Sequence, residues 1–83
     1  MEQNSKLAVI GIIIKDRKDS ARRVNEILGD YGDIVVGRMG LPYKDRNMSV
    51  ISIIVDGSND KIGALSGKLG NIEGVKAKVV VVN

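Results

Sequence analysis

Lys15, Arg17, Lys18, Arg22 and Arg23 crowd the junction between an apolar run and a helical pattern. The unpaired amides of a helix N-terminus attract anions, and nearby cations strengthen that attraction. Asp16, Asp19 and Glu26 lie among these cations. The same pattern therefore also describes an ordinary solvated face. Asp16, Asp19, Asp56 and Asp60 all fall at strand–helix junctions, where carboxylates cap free amides. None is spaced with another as a general acid–base pair, and no calcium-loop spacing is present.

A second candidate is Gly63-Ala64-Leu65-Ser66-Gly67-Lys68, which invites comparison with a phosphate-cradling loop. The interval between its glycines is one residue short, and Leu69 stands where a Ser or Thr would hold magnesium. It also lies inside a helical pattern rather than before one. Gly63, Gly67 and Gly70 share a helix face, which predicts close approach of the helix backbone to a sheet or a neighbouring chain.

The chain has no cysteine and no histidine. Disulfides, His/Cys zinc sites, thiolate nucleophiles and imidazole bases are therefore excluded. With no nucleophile–base pair left, a non-enzymatic role is expected, with no metal and no cofactor. Net charge is +3, with 13 basic and 10 acidic residues. Tyr31 and Tyr43 are the sole aromatics. Stacking platforms for single strands, a helix-turn-helix pair and a basic arm are all missing, so no direct nucleic-acid binding is expected.

A chain of 83 residues makes one small domain over 1–83, with 1–5 a flexible N-terminus. A domain near this size buries only ~60% of its unfolded surface. Without disulfides or metal, self-association is the remaining way to add buried surface. The apolar run Leu7–Ile14 is too short to cross a bilayer, and Lys15-Asp16-Arg17-Lys18 follows it instead of a small-residue cleavage site. A soluble cytoplasmic protein is expected, with no membrane partner.

Residues 7–14 are almost continuously apolar, which predicts a strand buried on both faces. Leu7, Val9, Gly11 and Ile13 take one face; Ala8, Ile10, Ile12 and Ile14 take the other. One face must pack under helices and something must cover the second. Ala8, Ile10, Ile12 and Ile14 are the candidate interface with another copy, in a dimer or tetramer.

Asp16 to Gly32 reads as a helix, with Asp16 as N-cap, Ala21, Val24, Ile27, Leu28 and Tyr31 as its apolar stripe, and Gly32 at its C-terminal stop. Asp33–Tyr43 and Met48–Val55 read as a hairpin around Lys44-Asp45-Arg46-Asn47, and Pro42 places the first of these strands at an edge. Ser58 is the N-cap of the glycine-bearing helix, Gly74 breaks it, and Val75–Val82 is the last strand. The order βαββαβ is that of a ferredoxin-like α+β sandwich, a four-stranded antiparallel sheet with two helices on one face.

Arg38-Met39-Gly40-Leu41-Pro42-Tyr43, Asn47-Met48, and the segment Ile62 to Val75 with Lys78 resemble a specific family. The chain is similar to the small stand-alone ACT-like proteins labelled iron-only hydrogenase system regulators. That resemblance implies an ACT-like fold, similar also to the ligand-sensing domain of nickel-responsive repressors. It implies assembly through the sheet and a link to the hydrogenase system. Those repressors bind nickel through His and Cys, which this chain lacks, so nickel sensing is not implied. ACT domains often bind amino acids near the first strand–helix turn. That implies Lys15, Asp16, Arg17 and Ser20 as ligand-binding residues here. A regulatory module is expected, with a small ligand at a subunit interface or a separate protein partner. The alternative is a direct amino-acid or anion sensor.

Overall fold

A computed structural model describes residues 5–15 and 18–83. The elements run β1 (Lys6–Lys15), α1 (Lys18–Asp30), β2 (Val35–Tyr43), a 3₁₀ turn (Lys44–Arg46), β3 (Met48–Gly57), α2 (Asn59–Gly70) and β4 (Val75–Val81). The four strands form one antiparallel sheet in the order β2-β3-β1-β4. This is the ferredoxin-like βαββαβ arrangement that the alternation of strand and helix patterns predicts, and that the family resemblance implies in its ACT-like form.

The core follows from two periodicities. Side chains alternate across a strand, so Ala8, Ile10, Ile12 and Ile14 of β1 line up with Ile51, Ile53 and Val55 of β3. The helices contribute Val24 and Leu28 from α1, and Ile62, Leu65 and Leu69 from α2. All of these are buried in one cluster, so both helices cover the same sheet face. Ser58 caps α2 as its residue type predicts: the Lys61 amide donates to Ser58 Oγ at 3.1 Å.

Long-range polar contacts pin the helices. Ser20 Oγ donates to the Glu73 carbonyl at 2.7 Å, tying α1 to the segment before β4. Arg38 donates to Asn25 Oδ1 at 2.6 Å, tying the edge strand β2 to α1. The β2–β3 turn closes on Asn47, whose φ of 51° and ψ of 48° are left-handed. Asn tolerates that region because its short side chain can bond locally. β2 also carries an irregularity between Val35 and Gly37.

Two expectations change. Ala8, Ile10, Ile12 and Ile14 are between 0% and 3% exposed within the single chain. They fill the core under the helices and have no surface to offer a second copy. The face of β1 turned away from the helices is Leu7, Val9, Gly11 and Ile13, with Leu7 and Ile13 about 40% exposed. Second, a Cβ built at Gly63, Gly67 or Gly70 would meet nothing within 4 Å. Ile62, Leu65 and Leu69 take the sheet-facing side of α2, so the three glycines lie on its outer side. They do not serve a tight helix–sheet contact.

Candidate functional site

Cross-strand register builds the uncovered sheet face row by row. Gly37, Ile54, Val9 and Val80 lie side by side, followed by Met39, Ser52, Gly11 and Lys78. Leu41, Val50, Ile13 and Lys76 form the next row, then Tyr43, Met48 and Lys15. Met39 is 73% exposed, Leu41 58% and Val80 64%. The face is therefore apolar over most of its breadth, small at its centre through Ser52 and Gly11, and cationic along the β4 side.

The last row ends in a gap. The Lys15 amide donates to the Gly74 carbonyl at 2.9 Å, so Gly74 stands where a fourth side chain would complete it. Gly74 has a φ of 81°, a left-handed conformation that a side chain would strain. Leaving this position bare opens a depression of about 350 Å³ lined by Ile13, Lys15, Arg46, Met48, Gly74, Val75 and Lys76. β1 supplies Lys15, β4 supplies Lys76, and the 3₁₀ turn carries Arg46. Three cations meet apolar walls, and no acid is among the described lining residues.

Of the four ligand-binding residues expected at the first strand–helix turn, Lys15 reaches this depression. Ser20 is 5% exposed and its hydroxyl is committed to Glu73. Asp16 and Arg17 lie outside the described residues. Arg46 and Lys76 were not legible as partners of Lys15. Arg46 sits in a turn far along the chain, and only strand pairing brings Lys76 beside Ile13. Arg22 faces Asp19 and Glu26, at 3.3 Å and 3.9 Å, on the exposed surface of α1. That part of the basic cluster is a solvated, self-paired face.

A second depression of about 290 Å³ is lined by Ser5, Asp33, Ile34, Asp56, Gly57, Ser58 and Lys61. Its cation is engaged: Lys61 Nζ donates to Asp33 Oδ2 at 2.8 Å. That hydrogen bond holds the Asp33 carboxyl below the usual carboxylate range. Lys68 Nζ lies 5.1 Å from the centre of the Tyr31 ring. Among the described residues no group of three or more acidic side chains is placed to hold a metal ion. Nor is any helix among them long and apolar enough to cross a membrane.

Comparison with solved structures matches this geometry. The uncharacterized protein TM1266 from Thermotoga maritima is 38% identical, with a TM-score of 0.93 over 95% of this chain and 99% of that one. The ACT domain from GTP pyrophosphokinase of Chlorobium tepidum is 19% identical, with a TM-score of 0.77 over 92% of this chain and 99% of that one. The C-terminal domain of the MgtC protein from Mycobacterium tuberculosis is 13% identical, with a TM-score of 0.69 over 99% of this chain and 93% of that one. The last two likenesses show the fold alone. No curated protein matches the chain. One family model, described as "Iron-only hydrogenase system regulator, putative", matches residues 6–79. The strand pairing, the helix cover and the match along nearly the whole chain agree: this protein belongs to the TM1266-like family.

Proposed function

We propose that this chain is a non-catalytic regulatory module of the iron-only hydrogenase system and works as a homo-oligomer. A second copy covers the open sheet face, and a small ligand sits at the rim of that contact. The uncovered apolar face carries this reading. Leu7, Ile13, Met39, Leu41, Tyr43, Ile54, Val80 and Val82 are each between 39% and 73% exposed. Together they amount to about four fully exposed large side chains, or ~6–13 kcal/mol of burial for each copy at ~1.5–3 kcal/mol apiece. Association costs about 4–15 kcal/mol in lost freedom. Two such faces stacked together exceed that cost over most of the range, and an edge-to-edge contact would leave the face wet.

The hydrogenase link comes from the family's description. The regulatory role is consistent with a βαββαβ sheet and with a site that offers cations and apolar walls but no nucleophile–base pair. Sedimentation velocity over a concentration series tests the assembly. Reversible association at micromolar concentration is expected, and a monomer throughout the series refutes it.

The second reading is direct sensing of an amino acid or anion in control of a separate protein. The cationic depression at Lys15 favours the anion arm of this reading. A ligand that binds only the folded chain raises its apparent stability by mass action. A thermal-shift screen of amino acids and organic acids therefore tests it, and no shift at millimolar ligand counts against it.

A further inference from the structure

The geometry points to the depression between Lys15, Arg46 and Lys76 as a binding site for a small organic polyanion. The ligand class is two or more carboxylate or phosphate groups on a short carbon skeleton, rather than an amino acid. This inference rests on the sensing part of the proposed function and names the ligand class for it.

Four observations carry it. The depression holds about 350 Å³, within the range of roughly 300–1,000 Å³ usual for small-molecule sites. The charged residues among its described lining, Lys15, Arg46 and Lys76, are all cations. Arg46 offers a planar fork of donors, and each lysine offers three more. Among the described residues no ion pair engages any of the three, whereas Arg22 and Lys61 are matched with acids. Like charges lining one depression repel, and a bound polyanion relieves that repulsion.

The lining also argues against the amino-acid class. An α-amino acid carries an ammonium group that needs a carboxylate or free carbonyl beside it. Lys15, Arg46 and Lys76 repel that ammonium. No carboxylate is among the described lining residues to receive it. Ile13, Met48 and Val75 provide the apolar wall for a carbon skeleton.

The site's position suggests how binding reads out. Lys15 and Lys76 stand on the open sheet face, so a second copy laid on that face closes the depression. An anion held there neutralises cations that would otherwise oppose one another across the contact. Binding and self-association are then linked and must strengthen each other equally.

The test is a titration of isotope-labelled full-length protein, followed by amide chemical shifts at matched ionic strength. The probes are citrate, glycerol 2-phosphate, inorganic phosphate and leucine. Citrate or glycerol 2-phosphate is expected to give saturable shifts centred on Lys15, Arg46, Gly74 and Lys76. The stronger of the two tells carboxylate from phosphate as the preferred group. Inorganic phosphate, lacking a skeleton, is expected to bind more weakly, and leucine not at all. Arg46→Ala and Lys76→Ala, both at exposed positions, should each weaken the better organic ligand about tenfold through loss of a charge-assisted contact. Absence of saturation, saturation unchanged in both variants, or leucine binding at this site in place of the polyanions overturns the inference. Sedimentation of the same samples separates the two readings. A monomer that binds citrate at this site refutes the assembly alone, and an oligomer indifferent to every organic anion refutes the site alone.

Discussion

Placing a carboxylate at Ile54 tests which face of the sheet meets another copy. Ile54 is 43% exposed and sits between Gly37 and Val9, with Val80 beyond. No cation stands in that row to partner an aspartate. Ile54→Asp gives up roughly 1 kcal/mol of apolar burial per copy in a stacked dimer. It also places an unpaired carboxylate in a dry contact, at several kcal/mol per ion. A twofold interface repeats both effects, so the dissociation constant should rise by about three powers of ten or more, at ~1.4 kcal/mol for each.

The fold should tolerate the change, since the side chain faces solvent within the single chain, at a strand-propensity cost of ~1 kcal/mol or less. The neighbouring substitution Ile53→Asp is the contrast. Ile53 is 0% exposed, so a carboxylate there should unfold the domain rather than dissociate it. Sedimentation velocity reads the assembly, and thermal melts by circular dichroism read the fold. Association of Ile54→Asp as tight as that of the unsubstituted protein would refute the face-to-face argument.

Four further outcomes follow from the same structure. Leu65→Ala removes a fully buried side chain from α2 and should lower unfolding free energy by about 2–5 kcal/mol in urea melts. Ser58→Ala loses the cap on the Lys61 amide and should cost ~1 kcal/mol by the same measurement. Gly63→Ala and Gly67→Ala place a methyl in open space on the outer side of a helix. Each should therefore stabilise the chain by ~0.4–1 kcal/mol, seen as a higher melting temperature; a fall would mean that the glycines serve another contact. Asp33 titrates below the ordinary carboxylate value because Lys61 donates to its ionised form. Its depressed value means that its contribution to stability is present above the unfolded-state value and lost as pH falls through the folded-state value, on the acid side of the usual carboxylate range. Lys61→Ala should move the Asp33 carboxyl titration, followed by carbon-13 shifts, up toward that range. The effect on stability should be small, because both side chains are more than half exposed.

Much of the fold is legible because local chemistry repeats. The β-branched run at Leu7–Ile14, the cap at Ser58 and the apolar stripe Ile62, Leu65, Leu69 each specify an element without help from distant residues. The polar turn around Asn47 marks the hairpin for the same reason. The stop of α1 is less direct. Gly32 was a natural left-handed terminator, yet the positive-φ glycine is Gly74. The first helix closes instead through tight turns, from Gly32 to the Gly29 carbonyl and from Ile34 to the Tyr31 carbonyl.

The faces were harder to assign. An apolar run such as Leu7–Ile14 has no polar residue to mark its outer side, so its two faces look alike in sequence. The register with β3 and the side of the sheet to which both helices return decide the matter. They bury Ala8, Ile10, Ile12 and Ile14 and leave Leu7 and Ile13 partly open. The glycines of α2 show the same limit. Their spacing puts them on one side of the helix, but only packing shows that this side points outward.

The sequence by itself determined the element order, the family and the absence of thiol and imidazole chemistry, because these depend on residue type and short-range spacing. The tertiary structure alone decided which sheet face is open, and it brought Arg46 and Lys76 to Lys15. Those residues meet because antiparallel pairing joins strands far apart in the chain, and because Gly74 leaves their row one side chain short.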